Sequence, residues 1–531
     1  MTRPPSDVVV VGSGAAGMVA ALRVAVAGAT VTVLECAEQF GGTSALSGGG
    51  MWLPRSAVAR AAGVEDSRDA VKRYLMRLTM GSVAERVIDR FVDTAPKVAD
   101  LILEHTPLSL YADVERPDYQ TGLPGAVDFG RLVGVELYDL NRLGALRPLL
   151  RQPDWEARVN RLEQGGTGME PITHYEMQAF VERGDPKGWV PLARERIAKG
   201  VVTRGCALIA GLLEAALARG VRLVNYARVR ELIIGDGRVT GVEAEVRGVH
   251  ETFQADAGVV LASGGFEWNR ALWDGLVRVP GVEPLSPPTN RGDALRMAEK
   301  VGARLAFLDQ VWWLVNAGGQ PGQLVVNRAG RRFVNECLNY NDYGKVLAAF
   351  DPHTYEFPNL PAYVISNRPL TLVDTDPNLL GDRVANADAA SASTLRELGT
   401  RIGVDADGLE ATVEEFDRHA AHGEDPAFHR GEIAWDRWRR VDRTLKNPAL
   451  APIGPGPYYA QRVVLRCFGT KGGPVIDDHA RILDFDGAPI PGLCGAGNAI
   501  ASPFGLAYPG GGGTLGPATT FGYVAGATLT S

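Results

Sequence analysis

No Cys-x-x-Cys pair occurs in the 531 residues: Cys36, Cys206, Cys337, Cys467 and Cys494 are scattered, which excludes a zinc ribbon and a disulfide framework and fits a reducing, cytoplasmic setting. There is no Lys/Arg tract either. The 55 basic and 62 acidic residues are interspersed and sum to −7, so neither nucleic acid nor an anionic membrane surface is an expected partner. The opening MTRPPSDVVVVGSGAAG lacks a signal-peptide h-region, because its apolar run passes at once into a glycine motif. After Asp486 there is no charged residue and no histidine, yet Gly and Pro interrupt this segment too often for a transmembrane span. It reads either as a buried C-terminal segment or, more sharply, as one packed around a bound cofactor.

Glycine is abundant, at 64 residues, or about 12% against a typical ~7%. With no Gly-X-Y period, the excess belongs in loops where backbone approaches something closely. Residues 7–11 are a β-branched run, followed by Gly-Ser-Gly-Ala-Ala-Gly, an Ala/Val/Leu-rich helix to Val26, and a second β-branched run over 30–34 that ends in Glu35. This is a βαβ unit with two parallel strands buried on both faces. Residues 55–105 read as helical. Residues 106–190 show no period and are expected to form mixed loops and short helices. A helix is expected at 206–217, a β-meander with a hairpin at Gly235-Asp236-Gly237, and a buried strand from 258 that ends in paired glycines. Shorter helices are expected at 394–398 and 409–419. The fold class is α/β: a discontinuous Rossmann-type cofactor domain, 1–276 and 450–531, with an inserted α+β substrate domain, 277–449.

Gly12, Ser13, Gly14, Ala15, Ala16 and Gly17 form the turn and helix start of a dinucleotide site. Gly12 makes the tight turn, Gly14 opens backbone N–H groups to a pyrophosphate, and Gly17 permits close helix–strand packing. Glu35 is placed to accept from a ribose. Residues 41–50, with Gly42, Thr43, Ser44, Ser47, Gly48 and Gly49, form a second small-residue loop; Gly264, Gly497 and Asn498 belong to further glycine clusters. Three separated clusters suit one large ligand, FAD rather than NAD. The first histidine is His105, so no imidazole near residues 41–50 offers a covalent attachment and the FAD is expected to be non-covalent. His419 and His422 lack a third ligand nearby, and no metal is expected. Trp312 and Trp313 suit an apolar pocket or the core equally well, and Cys337 reads as a packing residue.

Taken in order, GGTSALSGGGMW, ASGGFEWN at 262–269, NRGDA at 290–294, GRRFVNE at 330–336, GTKGG at 469–473 and AYPGGGGTLGPATTFGYVAG at 507–526 resemble the 3-ketosteroid dehydrogenases, flavoproteins of the fumarate reductase and succinate dehydrogenase flavoprotein superfamily. The resemblance adds Gly513, Thr514 and Leu515 to the FAD contacts. It also implies that Tyr340, four residues after Glu336 where fumarate reductases carry an arginine, is the catalytic base. Tyr119 would support it, and Tyr508 with the Gly512 N–H would bind the substrate carbonyl. A phenol suits proton exchange with a neutral, apolar substrate; a fixed cation suits a dicarboxylate.

Two departures border this site: YPGPGGT reads YPGGGGT, with Gly511 for proline, and NExxPY reads NECLNY, with Asn339 before the base. The expected activity is desaturation next to a ring ketone, foremost 1,2-desaturation of a 3-ketosteroid, with an unidentified electron acceptor. A smaller cyclic ketone, 4,5-desaturation, an enoate reductase of the fumarate reductase type, and a flavoprotein that only carries electrons remain open.

Overall fold

The computed structural model describes residues 5–157, 171–183, 188–315, 319–370, 389–439 and 442–531. At its centre is a mainly parallel sheet in the order Arg481–Leu483, Pro489–Gly495, Val249–Leu261, Ser6–Val11, Val31–Leu34, Arg222–Val224, with only the first of these antiparallel to its neighbour. Parallel neighbours cannot be joined by a tight hairpin, so the chain crosses over through the helix Ala15–Val26 between the first two strands in sequence. Gly12 has φ +104°, and a Cβ there would lie 2.5 Å from the Ala262 carbonyl oxygen. A Cβ on Gly17 would lie 2.0 Å from Gly12 O, so the glycine spacing is what lets helix and strand touch.

The meander is present as Ala227–Gly235, Arg238–Val246 and Val249–Leu261, with Asp236 and Gly237 both at positive φ (50° and 75°), the geometry a two-residue primed turn requires. Its third strand runs on into the parallel sheet and is therefore longer than the expected run from 258. Residues 55–105 hold three helices, Ala57–Ala61, Arg68–Thr79 and Glu85–His105; the last turns Ile88, Phe91, Val92 and Ala95 into the core. Residues 106–190 include a small antiparallel sheet that the sequence did not announce, Leu110–Asp113 against Leu132–Val135 against Met51–Trp52.

Residues beyond 277 build further sheets. Gln323–Val326, Tyr363–Ser366, Tyr458–Arg462 and Ala389–Ala392 form one, and Val311–Val315 pairs with Leu465–Thr470 in another. The helices Leu395–Ile402 and Ala406–Ala420 place Leu398, Leu409, Val413 and Phe416 in one core with Leu324, Val326 and Ile365. The uncharged segment after Asp486 supplies the strand Pro489–Gly495 to the parallel sheet and the helix Leu515–Thr528, which packs on Ala15–Val26. Its glycines allow that contact: a Cβ on Gly522 would lie 2.3 Å from Ala16 O. Among the described residues no helix is long and apolar enough to cross a membrane.

Candidate active site

The glycine turn, residues 42–50, the end of the strand Val249–Leu261 and the C-terminal glycine cluster converge on a cavity of about 1190 Å³. Its wall includes Gly12, Ser13, Gly14, Ala15, Ala16, Glu35, Gly42, Thr43, Ser44, Ser47, Gly48, Gly49, Gly264, Gly497, Asn498, Thr514 and Leu515, and also Tyr119, Tyr340, Tyr508 and Gly512. Gly17 and Gly513 are not on the wall. Gly17 lies against Gly12, and the Gly513 N–H donates to Gly510 O within its own turn at 3.0 Å.

The cradle fits FAD. Gly14 caps the helix Ala15–Val26 without a side chain, and Gly14, Ala15 and Ala16 line the cavity, so the helix start is open to a pyrophosphate. A Cβ on Gly49 would lie 2.2 Å from the Arg204 carbonyl carbon, and one on Gly264 would lie 3.0 Å from Asn290. The Ala15 N–H donates to Ser44 Oγ at 3.0 Å, which ties residues 41–50 to the helix start. Glu35 accepts from Ser13 N–H (3.1 Å) and Ser13 Oγ (2.6 Å) and from the Ala37 N–H (3.0 Å), so the acid is oriented at the strand end before any ribose reaches it.

The three tyrosines meet although they are far apart in sequence. The Tyr340 hydroxyl lies 3.0 Å from that of Tyr119 and 2.9 Å from that of Tyr508. Burial, and then the two neighbouring phenols, push the Tyr340 phenol well above its ordinary range. Tyr340 opens the helix Tyr340–Leu347, where the macrodipole favours negative charge. The cap of that helix is Asn339, the residue that departs from the family pattern: its side chain accepts from the N–H groups of Asn341 (3.2 Å) and Asp342 (3.1 Å). Asn339→Ala is expected to cost about 1 kcal/mol, as loss of an N-cap does, with Asn339→Ser recovering most of it in thermal melts of the holoenzyme.

The segment leading to each tyrosine is held by a different buried polar group. Upstream of Tyr340, the Glu336 carboxylate accepts from Arg332 (2.7 Å), Arg430 (3.3 Å) and the Val325 N–H (3.1 Å), which accounts for the conspicuous GRRFVNE stretch. Asp118 precedes Tyr119 and accepts from Trp52 Nε1 (2.9 Å) and Arg131 (2.7 Å), while Arg131 also forms a two-pronged pair with Asp66 (2.8 and 2.9 Å). The loop before Tyr508 is held by Lys471, whose ammonium donates to the Leu506 and Ala507 carbonyls, each at 2.9 Å, and lies 4.0 Å over the Trp312 ring. Burial lowers the Lys471 ammonium well below the usual lysine range. The Gly512 carbonyl accepts from the N–H groups of Trp52 (3.0 Å) and Gly516 (2.8 Å), which fixes the loop that carries the Gly512 N–H.

Trp312 backs Tyr508 with ring centroids 5.2 Å apart, and Trp313 packs in a separate core with Trp273. The aromatic wall comes instead from Trp435, Trp438 and Phe468, with Arg116 beside them; sequence reading missed all four. Arg116 is three residues before Tyr119, and the position of a charged residue that near the site was the one available signal. Cys337 is buried on the wall. Among the described residues no group of three or more His, Cys, Asp or Glu side chains is placed to hold a metal ion.

The family model for an FAD binding domain matches residues 7–515. The chain is 38% identical to 4-oxocyclohexanecarboxylate 2-dehydrogenase of Sinomonas cyclohexanicum, over 99% of this chain and 93% of that protein. It is 34% identical to 3-oxosteroid 1-dehydrogenase of Mycolicibacterium smegmatis, over 99% of this chain and 97% of that one. The crystal structure of 3-ketosteroid delta1-dehydrogenase from Sterolibacterium denitrificans in complex with 1,4-androstadiene-3,17-dione superposes with a TM-score of 0.87 at 33% identity, over 99% of this chain and 100% of the other.

Proposed function

The chain belongs to the FAD binding domain family and is an FAD-dependent oxidoreductase of the 3-oxosteroid and cyclic-ketone dehydrogenase kind, acting on CH–CH bonds, and from that premise we propose how its own residues carry the reaction. A ring ketone places its oxygen between the Tyr508 hydroxyl and the Gly512 N–H, two donors aimed where enolate charge develops. Enolate character acidifies the adjacent C–H, and Tyr340 takes that proton. Tyr119 donates to the Tyr340 oxygen and orients it, and the helix N-terminus favours the negative charge that forms there. FAD, when bound, supplies the acceptor for the hydride that leaves the neighbouring carbon. Two hydrogens thus depart, one as a proton and one as a hydride, and a conjugated C=C remains.

The observation that carries this reading is the contact of three phenols from distant segments, 3.0 and 2.9 Å apart, on the wall of the cavity that holds the dinucleotide fingerprint. A phenol in place of the fumarate reductase arginine counts against an enoate reductase for acidic alkenes. An electron carrier has no need of a base and two carbonyl donors. For the substrate, the relatives supply two classes, a 3-ketosteroid desaturated at C1–C2 and a single-ring oxo acid. The cofactor domain is proposed to comprise residues 1–276 and 450–531, and the inserted domain 277–449; strands Tyr458–Arg462 and Leu465–Thr470, just past that boundary, pair with strands of the inserted part and form the seam between the two.

Anaerobic titration of the yellow holoenzyme with saturated 3-oxosteroids and with cyclohexanone-type ketones tests the proposal. Bleaching of the flavin absorbance together with a product that has lost two hydrogens beside the ketone is expected. No bleaching by any ring ketone would refute it.

A further inference from the structure

We infer that Arg116 is a specificity-determining residue that binds the carboxylate of a single-ring oxo acid, and that Gly511 makes the room it needs. The inference rests on the ring-ketone reading above and deepens it. Arg116 lines the cavity together with Tyr119, Tyr508, Gly511 and Gly512. A Cβ built on Gly511 would lie 3.0 Å from Arg116 Cδ and 3.1 Å from Nη1, so the guanidinium occupies space that a proline at this position would claim. The glycine at the one altered position of the carbonyl-binding loop and the arginine beside it therefore form one feature.

The guanidinium lines the cavity with one ion pair among the described residues, to Asp113 at 3.4 Å. Its Cζ lies over the Trp438 ring, 4.9 Å from the centroid; Trp438 stacks on Trp435 at 5.6 Å, and Trp435 meets Tyr119 at 4.4 Å. This aromatic wall carries an apolar ring from the tyrosines to the arginine. Asp113 reaches Nε from one side at 3.4 Å, and Nε is buried without a hydrogen bond, so the acid orients the group but does not satisfy it. Planar guanidinium edges match a carboxylate two donors at a time. Glu115 also lines this part of the cavity, and its N–H donates to Asp113 Oδ1 at 3.3 Å.

Arg116 and the carbonyl donors Tyr508 and Gly512 line one cavity, and the Trp435 and Trp438 rings run between Tyr119 and the guanidinium, so a ring held by its ketone oxygen can turn a carboxylate on its other side toward the arginine. Beside an uncharged ring the guanidinium keeps its 3.4 Å pair with Asp113 and gains no second carboxylate, so the same residue favours the acid over uncharged substrates.

The test compares 4-oxocyclohexane-1-carboxylate with its methyl ester, nearly the same shape without the charge, by steady-state kinetics of the holoenzyme and by anaerobic flavin titration. The unaltered enzyme is expected to prefer the acid. Arg116→Met is expected to lower the acid-to-ester ratio of kcat/KM by about 10- to 100-fold, the range for a hydrogen-bonded charge, through KM for the acid rather than kcat. Arg116→Lys should restore part of the ratio, and Gly511→Pro should lower it by crowding the guanidinium. If the enzyme turns over the ester or a 3-oxosteroid as well as the acid, or if Arg116→Met leaves the ratio unchanged, the assignment of Arg116 is overturned while ring-ketone desaturation stands. If no ketone bleaches the flavin, both readings fall.

Discussion

Tyr340→Phe is expected to lower kcat by about 10²- to 10⁴-fold, the span over which a positioned general base contributes, with FAD still bound. The ring that packs against Tyr119, Tyr508 and Phe468 is kept, and only the hydroxyl that lies 3.0 and 2.9 Å from its two neighbours is removed. Flavin content read from absorbance separates lost chemistry from lost cofactor. A pH profile adds a second readout. Because the phenol is raised above its ordinary value of 10.0 and the base is its deprotonated form, kcat/KM should climb through neutral into alkaline pH, and in Tyr340→Phe that rise should vanish. A variant that retained most of the activity, or the same pH rise, would remove Tyr340 from the reaction.

Arg131→Met is expected to have the largest effect on stability, about 3–5 kcal/mol, because it leaves Asp66 and Asp118 buried without their cation. Arg131 is 1% exposed and its two carboxylate partners each 2%. The loss should depend on pH. Burial, opposed by Arg131, pushes the Asp118 carboxyl from 3.8 up to about 6. A carboxyl whose folded pKa is raised favours the folded state while protonated, so its contribution is intact below pH 3.8 and is lost as the pH rises through about 6. Without Arg131 the ionised form is costlier still, so denaturant midpoints should show the variant falling further below the parent at pH 8 than at pH 4.5. An equal deficit at both values would show that packing against Trp52 and Tyr74, and not charge, sets the cost.

The parts that were readable in sequence are those whose geometry is local. A β-branched run, a glycine at the turn and a small residue at the helix contact lie within a dozen positions, and each is required by backbone sterics: φ +104° at Gly12, the near-contact of Gly17 with Gly12 O. The hairpin at 235–237 was readable for the same reason. The sheet that joins Met51–Trp52 to residues 110–135 was not, because its strands are short and their pairing is decided by long-range burial. Tyr340 could be placed by its spacing from Glu336, but the meeting of three hydroxyls depends on the whole chain. Trp435 and Trp438 carry no local mark of a pocket, since a tryptophan on a short helix reads equally well as core. Arg116 carries no clear mark either, since a lone arginine in a loop ordinarily belongs to solvent; its close approach to Gly511 is a long-range contact.

The cavity is walled on one side by Gly12–Ala16 and on the other by residues 497–515, and the helix Leu515–Thr528 lies directly on the helix Ala15–Val26. During synthesis residues 12–16 leave the ribosome well before residues 497–515, which share the cavity wall with them, are translated. The nascent chain therefore cannot retain its flavin in a closed site until residues 497–515 have emerged, and a chain cut short before residue 497 would carry half a cradle.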